Sequence, residues 1–207
     1  YKDEYAKYLT AQVDNCQFLG NESGDILLRV WNKGDKPYTV NVKDSLIDGQ
    51  NVESGKRAIS VAGGSIVTLD NTDIKNKKVR GYHGIGLYAQ DAGTTVNLVN
   101  GSRIHGNSGN GSAGIAVFTG AHVNLDETSK VFDNRSSSFT DDIYLQNQES
   151  QITFYKNSVV GEKLSGSCGH MIDGWYIDNE GNRYDESAGN INRLEEENEK
   201  VVITDKE

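Results

Sequence analysis

Val96-Asn97-Leu98 is one of six similar segments in which a polar residue stands between two apolar residues. The other five are Ala11-Gln12-Val13, Val40-Asn41-Val42, Val67-Thr68-Leu69, Val123-Asn124-Leu125 and Ile152-Thr153-Phe154. Their last residues follow one another at steps of 27 or 29 residues. A self-similarity with a period of this size indicates a solenoid, in which each repeat forms one coil and neighbouring coils stack.

Two further columns run in register with the first. An apolar residue follows each segment by five or six positions, and a small, mostly hydroxyl-bearing residue lies two positions before that apolar residue. The apolar column is Phe18, Ile47, Ile74, Ile104, Val131 and Val159, and the small column is Cys16, Ser45, Thr72, Ser102, Ser129 and Asn157. Because residues i and i+2 of a strand share a face, we expect both columns to point the same way.

A turn column follows two residues after each apolar residue of the second column. Its members are Gly20, Gly49, Asn76, Gly106, Asp133 and Gly161. Gly, Asn and Asp are the residues that best tolerate positive φ. We therefore expect the same left-handed turn in every repeat.

A third strand completes each repeat. We assign it to Ile59-Ser60-Val61, Ile85-Gly86-Leu87, Ile115-Ala116-Val117 and Ile143-Tyr144-Leu145, with a less regular first copy at 26–30 and a sixth at Met171-Ile172. Three short strands then make one coil, and the coils stack about 4.8 Å apart. The predicted fold is all-β: a parallel β-helix of about six three-strand coils.

The segments 101–107, 114–125 and 130–134 carry a resemblance to a known class. They resemble the right-handed parallel β-helix of the pectate-lyase-like superfamily, in the form found in bacterial cell-surface adhesins. The resemblance covers residues 9 to 162 and concerns architecture rather than activity. It implies a right-handed solenoid.

The ends of the chain differ from the repeat and predict caps, since a solenoid has two open edges. We expect an N-terminal cap at 1–8, the parallel β-helix at 9–172 and a C-terminal cap hairpin at 173–184. Residues 185–207 are predicted to be an acidic linker or a terminal strand. The first residue is Tyr, and the chain is interpreted as a monomeric fragment of a larger protein.

Composition narrows the class of partner. The formal net charge is −9, which disfavours nucleic acid and anionic membrane surfaces, because those are bound by clustered Lys and Arg. No apolar run approaches the roughly 18 residues of a membrane span, so no membrane insertion is expected. The same charge fits an extracellular protein and equally an ordinary acidic soluble one.

The cysteines and histidines predict no metal site and no disulfide. Cys16 and Cys168 lie in coils that are five intervals apart, or about 24 Å, which is too far for a bridge. Cys16 is predicted to be a small core residue. The four histidines lack ligand spacing. Asp178 and Glu180 fit a hairpin turn better than a calcium loop, and we expect no cofactor.

The best candidate for a set of catalytic residues is the column that directly follows the first strand of each repeat. It contains Asp14, Lys43, Asp70, Val99, Asp126 and Tyr155. General acid–base cleavage of a polysaccharide needs carboxylates that converge on one face. Asp70 and Asp126 are two coils apart, about 10 Å, with Val99 between them. This column indicates a structural charge ladder, and no catalytic residue is assigned.

Outward aromatic residues are the candidate ligand-binding residues. Tyr88 and Phe118 are expected to stack on adjacent coils, with Tyr144 one coil further on and Tyr82 nearby. Such a platform suits sugar rings or a protein partner. The alternative is that these rings only cover the flank of the solenoid beneath the loops at 105–113 and 134–141.

The resemblance implies a non-catalytic adhesin or stalk module at the surface of a bacterial cell, with a Gram-positive cell wall as the expected location. Its expected partner is a host glycan or an extracellular protein, bound along the flank of the solenoid. The alternatives are a polysaccharide lyase or glycoside hydrolase domain, and a segment of a phage tail spike. Fold alone does not decide among them.

Overall fold

The computed structural model describes residues 9–22, 24–33, 36–137, 141–146 and 149–155, together with the backbone strands 159–160, 171–172, 191–197 and 200–205. The predicted caps at 1–8 and 173–184 lie outside the described residues, as does Cys168. Every element found in the described part is a strand or a turn.

The strands follow the chain coil by coil. The first two coils contain β1 (Thr10–Asp14), β2 (Gln17–Leu19), β3 (Ile26–Trp31), β4 (Thr39–Lys43), β5 (Leu46–Asp48) and β6 (Arg57–Ala62). The third and fourth contain β7 (Ile66–Asp70), β8 (Asp73–Lys75), β9 (Lys78–Val79), β10 (Leu87–Gln90), β11 (Thr95–Val99), β12 (Arg103–His105), β13 (Ser108–Gly109) and β14 (Ile115–Phe118). The remainder are β15 (His122–Leu125), β16 (Lys130–Phe132), β17 (Arg135–Ser136), β18 (Ile143–Leu145), β19 (Gln151–Tyr155), β20 (Val159–Val160), β21 (Met171–Ile172), β22 (Ile191–Glu197) and β23 (Lys200–Asp205).

These strands form four sheets along the sides of the solenoid. The first sheet has the order β1-β4-β7-β11-β15-β19-β23-β22, and the second has the order β2-β5-β8-β12-β16-β20. The third has the order β3-β6-β10-β14-β18-β21, and the fourth is the short sheet β9-β13-β17. Strands of successive coils pair in parallel, so the fold is the predicted all-β parallel solenoid.

The register of the two apolar columns is confirmed. Val42 pairs with Val13 and Leu69, and Ile47 pairs with Phe18 and Ile74. From the second coil onward these side chains are fully buried. They form one hydrophobic core that runs along the inside of the solenoid, and burial of this apolar surface is the main favourable term in folding.

In the described part of the chain the solenoid has five complete coils, against the predicted number of about six. The strands β19 and β20 begin a sixth coil in parallel with β15 and β16. Met171-Ile172 was predicted to be the third strand of the sixth coil. It instead pairs antiparallel with β18. The strand β23 likewise pairs antiparallel with β19, and β22 pairs with β23 as a hairpin. These antiparallel strands lie within 171–172 and 185–207, and they end the parallel stack.

The third strand is shifted by two residues in the third coil. Leu87, and not Ile85, pairs with Ile59 and Ile115. Ile85 is nonetheless fully buried, as are Leu87 and Ala89. A run of three alternate buried apolar residues fits either register, so the sequence pattern could not choose between them.

The fourth sheet was not predicted. Its strands contain only two residues each, namely Lys78–Val79, Ser108–Gly109 and Arg135–Ser136. Two residues are too few to show the alternation by which a strand is recognised.

The small-residue column is confirmed inside the stack, where Ser45, Thr72, Ser102 and Ser129 are buried. The Ser102 hydroxyl accepts a hydrogen bond from the Thr72 backbone N–H at 3.0 Å and donates to the Leu69 carbonyl at 2.8 Å. Cys16 is a free cysteine and is exposed, so its prediction as a core residue is wrong. It lies in the first described coil, at the end of the column.

Two different physical reasons account for the Gly, Asn and Asp residues of the turn column. Asn76, Gly106 and Asp133 have positive φ as predicted, but Gly20 and Gly49 do not. A Cβ on Gly49 would lie 2.4 Å from the Lys77 Cα of the next coil, so glycine is needed there for close stacking of backbones. A second left-handed column, which was not predicted, directly follows the first strands: Asn15, Asp44, Asn71 and Asn100.

A buried polar ladder lies at the corner between the second and fourth sheets. Asn107 Oδ1 accepts a hydrogen bond from the Lys77 backbone N–H at 3.0 Å, and Asn134 Oδ1 accepts one from Asn107 Nδ2 at 2.9 Å. Asn134 Nδ2 donates in turn to Asp142 Oδ1 at 2.9 Å. Asp142 is fully buried, and its Oδ2 has no hydrogen-bond partner in the described structure. Burial raises the pKa of Asp142 to about 7, with a smaller contribution from Asp141, against the hydrogen bonds from Asn134.

Candidate functional site

The outer face of the third sheet carries three of the four predicted aromatic residues, namely Tyr88, Phe118 and Tyr144. In a strand, alternate side chains point to opposite faces. The outward row therefore contains Arg29, Ser60, Tyr88, Ala116 and Tyr144, which pair in register from coil to coil. A second outward row contains Trp31 beside Ala62, and Gln90 beside Phe118.

The structure brings three of the predicted residues into contact with one another through their rings. The ring centroid of Phe118 lies 4.9 Å from that of Tyr88 and 5.5 Å from that of Tyr144. The His83 ring stacks on Tyr144 at 4.9 Å and lies 6.0 Å from Phe118. We call His83, Tyr88, Phe118 and Tyr144 the aromatic cluster. All four side chains are partly exposed, so the cluster presents apolar surface to solvent.

Arg57 connects Tyr82 to this cluster. Its guanidinium carbon lies 3.7 Å from the ring centroid of Tyr88 and 5.5 Å from that of Tyr82, and Arg57 Nε donates to the His83 carbonyl at 2.8 Å. Burial lowers the pKa of Arg57, although the guanidinium stays charged at any pH of interest. Burial also raises the pKa of Tyr88, so its hydroxyl remains protonated and donates to Gln90 Oε1 at 2.6 Å.

His83 is a neutral member of the cluster. Its Nδ1 accepts a hydrogen bond from the Ser112 backbone N–H at 3.3 Å, which places the proton of the neutral ring on Nε2. Burial lowers the pKa of His83, and the nearby Arg57 lowers it further. The ring therefore acts as a flat, uncharged surface above its ordinary titration range.

A groove of about 300 Å³ lies beside the aromatic cluster on the same face. We call it the cationic groove; it is lined by Ile26, Arg29, Trp31, Lys56, Arg57, Ser60, Ala62, Tyr88 and Gln90. Trp31 is 43% exposed, with the Arg29 guanidinium carbon 4.4 Å and the Lys33 Nζ 4.3 Å from its ring centroid. Cations held over a ring in this way define an aromatic surface flanked by positive charge.

A larger groove, of about 540 Å³, lies on the fourth sheet. Lys78, Arg80 and Arg135 line it, with a floor of small residues such as Gly109 and Ser136. Arg80 Nε lies 3.0 Å from Glu53 Oε1, and Arg135 Nη1 lies 3.6 Å from Asp141 Oδ2. This groove has no aromatic lining residue and its arginines already have carboxylate partners, which makes it the weaker candidate.

The carboxylates of the first sheet serve turns. Asp70 Oδ1 accepts a hydrogen bond from Asn100 Nδ2 at 2.9 Å, and Asp126 accepts from the backbone N–H groups of Asn100 and Ser129 and from the Thr128 hydroxyl. Partial burial opposes ionisation of Asp126, but these hydrogen bonds outweigh it and lower its pKa. The predicted row Asp14, Lys43, Asp70 and Val99 is in register.

Neither a metal cluster nor a membrane helix is found in the described part of the chain. Within those residues, no group of three or more His, Cys, Asp or Glu side chains is placed to hold an ion. No helix there is long and apolar enough to cross a membrane.

Three residues of this face were missed from the sequence. Arg57, His83 and Trp31 join the site through packing across coils, and each belongs to a segment that the repeat describes poorly. A signal was present for Trp31, since it lies two residues after Arg29 in β3 and must share its face. For Arg57 and His83 the sequence held no such signal, because neither lies on the outward row.

Comparisons of this chain with protein-family models, with curated proteins and with solved structures found no match.

Proposed function

We propose that this chain is a non-catalytic module of a cell-surface or secreted protein, which binds a glycan along the outer face of the third sheet. The observation that carries the proposal is the aromatic cluster, in which rings from three adjacent coils contact one another and stay partly exposed. Pyranose rings pack their apolar faces on aromatic rings, and a series of rings along a rigid rod suits an extended chain of sugars.

Two further observations support a binding role without catalysis. Tyr88, Phe118 and Tyr144 lie on strands that pack on one continuous core along the solenoid, so three of the four rings are held on strands rather than on loops. The carboxylates of the first sheet are engaged in turn hydrogen bonds, which suits structure better than proton transfer. A surface location agrees with the acidic composition and with the expected adhesin or stalk role.

The test is a glycan and extracellular-matrix array probed with the intact chain, followed by calorimetry on the glycans that bind. Phe118→Ala and Tyr144→Ala are each expected to weaken binding by about tenfold or more, the loss typical of a hot-spot aromatic. Phe132→Ala is the matched control, because Phe132 is a partly exposed ring on the second sheet, stacked on His105 at 4.7 Å.

Three results would contradict the proposal. Equal losses in Phe118→Ala and Phe132→Ala would remove the third sheet as the binding face. Binding to matrix proteins alone would assign a protein partner instead. Release of shortened sugars during incubation would indicate an enzyme.

A further inference from the structure

The arginines of this chain divide into two groups by their partners. Five arginines have described side chains, and three of them have a carboxylate within 4.0 Å: Arg80 with Glu53, Arg103 with Asp73, and Arg135 with Asp141. The other two are Arg29 and Arg57, and both line the cationic groove. In a chain with a net charge of −9, two arginines without a carboxylate partner among the described residues are the exception.

Both of these arginines are oriented by rings instead of by acids. Arg29 and Lys33 lie over Trp31, and Arg57 lies between Tyr82 and Tyr88. A guanidinium stacked on a ring keeps its hydrogen-bonding edge in the plane of the group and available to a ligand. Among the described residues the recorded hydrogen bond of Arg57 uses only Nε, which leaves its two terminal nitrogens for another acceptor.

The remaining charges around the groove leave its balance positive. Lys56 Nζ lies 3.3 Å from Asp25 Oδ2, so this lysine is compensated. Asp91 accepts hydrogen bonds from the Gly63 backbone N–H and from Gln90 Nε2, at the edge of the groove. Asp25 also attracts the Arg57 guanidinium, but the described residues place no carboxylate within 4.0 Å of Arg29, Lys33 or Arg57. These three positive charges exceed the single negative charge of Asp91.

From this geometry we infer that the cationic groove is a subsite for an anionic group on the bound glycan, with Arg29 and Arg57 as the specificity-determining residues. The inference rests on the proposed function and extends it, because the aromatic cluster alone would accept neutral sugars. A carboxylate or a sulfate presents oxygens that match the paired N–H groups of a guanidinium. The ring of the same sugar would pack on Trp31 or Tyr88.

The experiment compares sugars that differ only in charge. Calorimetry is carried out with hyaluronan hexasaccharide, which carries carboxylates, and with sulfated chondroitin hexasaccharide. The neutral member of the first pair is the same hyaluronan oligosaccharide after carboxyl reduction, and that of the second pair is the chondroitin oligosaccharide after both desulfation and carboxyl reduction. We expect the charged member of at least one pair to bind about tenfold or more tightly than its neutral counterpart. The affinity for the charged sugar should fall as salt is raised from 50 to 500 mM, because the ion pairs are partly exposed.

The variants separate charge from packing. Arg29→Gln is expected to weaken binding of the charged sugar about tenfold and to weaken binding of the neutral sugar much less. Arg57→Lys is expected to act in the same direction while keeping the positive charge. Arg80→Gln, which alters an arginine paired with Glu53 beside the fourth sheet, is the matched control and should change neither. Thermal unfolding of each variant verifies that the fold is intact.

The outcomes distinguish the two claims. Equal affinity for charged and neutral members of both pairs would overturn the anionic subsite and leave the glycan-binding module standing. Absence of binding by every sugar, here and on the array, would overturn both. Equal losses in Arg29→Gln and Arg80→Gln would show that net charge matters and that the groove does not.

Discussion

On the first sheet the outward side chains hydrogen-bond to one another, whereas on the third sheet they present rings and cations to solvent. Asn124 Nδ2 donates to Asn97 Oδ1 at 3.0 Å across two coils of the first sheet, in a row that also contains Thr68 and Thr153. The third sheet has Tyr88, Phe118 and Tyr144 in the equivalent outward positions. The two sheets pack on the same hydrophobic core. Side chains at the outward positions can therefore differ between the sheets, and so determine which ligand binds, without disturbing the packing of that core.

The largest expected effect concerns Asp142, which precedes the strand that carries Tyr144. Burial raises its pKa from 3.8 to about 7, so the folded state holds a proton that the unfolded state releases between those values. The contribution of Asp142 to stability is therefore greatest below about pH 4 and is lost as the pH rises from 4 to 7, by an amount on the order of 4 kcal/mol. Asp142→Asn should remove this loss and stabilise the chain at pH 8, as measured by urea unfolding between pH 4.5 and pH 8.

Asp126→Asn, on the first sheet, is expected to change the pH dependence of stability in the opposite direction. The pKa of Asp126 is lowered by its hydrogen bonds in spite of partial burial, so its carboxylate stabilises the fold above pH 4 and this variant should be less stable at pH 8. Identical pH slopes for the wild type and Asp142→Asn would show that the buried carboxyl does not titrate as described.

The next prediction concerns the close spacing of neighbouring coils, on which the outer faces of both the first and the third sheet depend. Gly49→Ala places a Cβ 2.4 Å from the Lys77 Cα, and only separation of two coils can relieve the overlap. The expected loss of stability is about 3 kcal/mol in urea unfolding. Gly24→Ala is the control, since its nearest neighbour would be Asn21 Oδ1 at 3.4 Å. Equal stability of the two variants would mean that the coils are not packed this closely.

A smaller effect separates the two faces directly. Asn97→Ala combined with Asn124→Ala removes the amide ladder of the first sheet, and we expect a loss of about 1 kcal/mol in stability with unchanged glycan affinity. Phe118→Ala should do the reverse, weakening glycan binding with little change in unfolding. Loss of binding in the asparagine variant would move the ligand to the first sheet.

The last prediction is that glycan affinity does not depend on pH near neutrality. The pKa of His83 is lowered by burial and by Arg57, so the ring that stacks on Tyr144 is neutral throughout the range above pH 6.5. Glycan affinity measured by calorimetry should not change between pH 6.5 and pH 8. An increase in affinity toward pH 6.5 would indicate that a protonated His83 contacts an anionic ligand.

The sequence predicted those parts of the fold that repeat. The buried columns at Val42 and Ile47 recur in every coil at nearly constant spacing, so the parallel register of the first and second sheets followed from them. Aromatic residues of the third sheet were also placed on one face. Their identification needed only the parity of a strand, which holds even where the exact register is off by two residues.

The parts that do not repeat were missed for physical reasons. Cys16 occupies a core column but lies in the first described coil, and burial requires a neighbour on both sides. Arg57 and His83 reach the aromatic cluster from outside the outward row, through contacts between coils that no spacing along the chain encodes. The repeat that predicted the rings therefore did not predict Arg57, one of the two arginines that we propose distinguish an anionic from a neutral ligand.

The reversal of strand direction beyond β18 and β19 bears on how the length of this rod can change. The strands β21 and β23 pair antiparallel with β18 and β19, and among the described strands neither pairs with an earlier coil. A duplicated unit of 27 or 29 residues inserted among the parallel coils would meet parallel neighbours on both sides and leave this closure untouched. Each insertion would lengthen the solenoid by about 4.8 Å and add one more coil of outward side chains. Under the proposed function these side chains would contact a longer glycan.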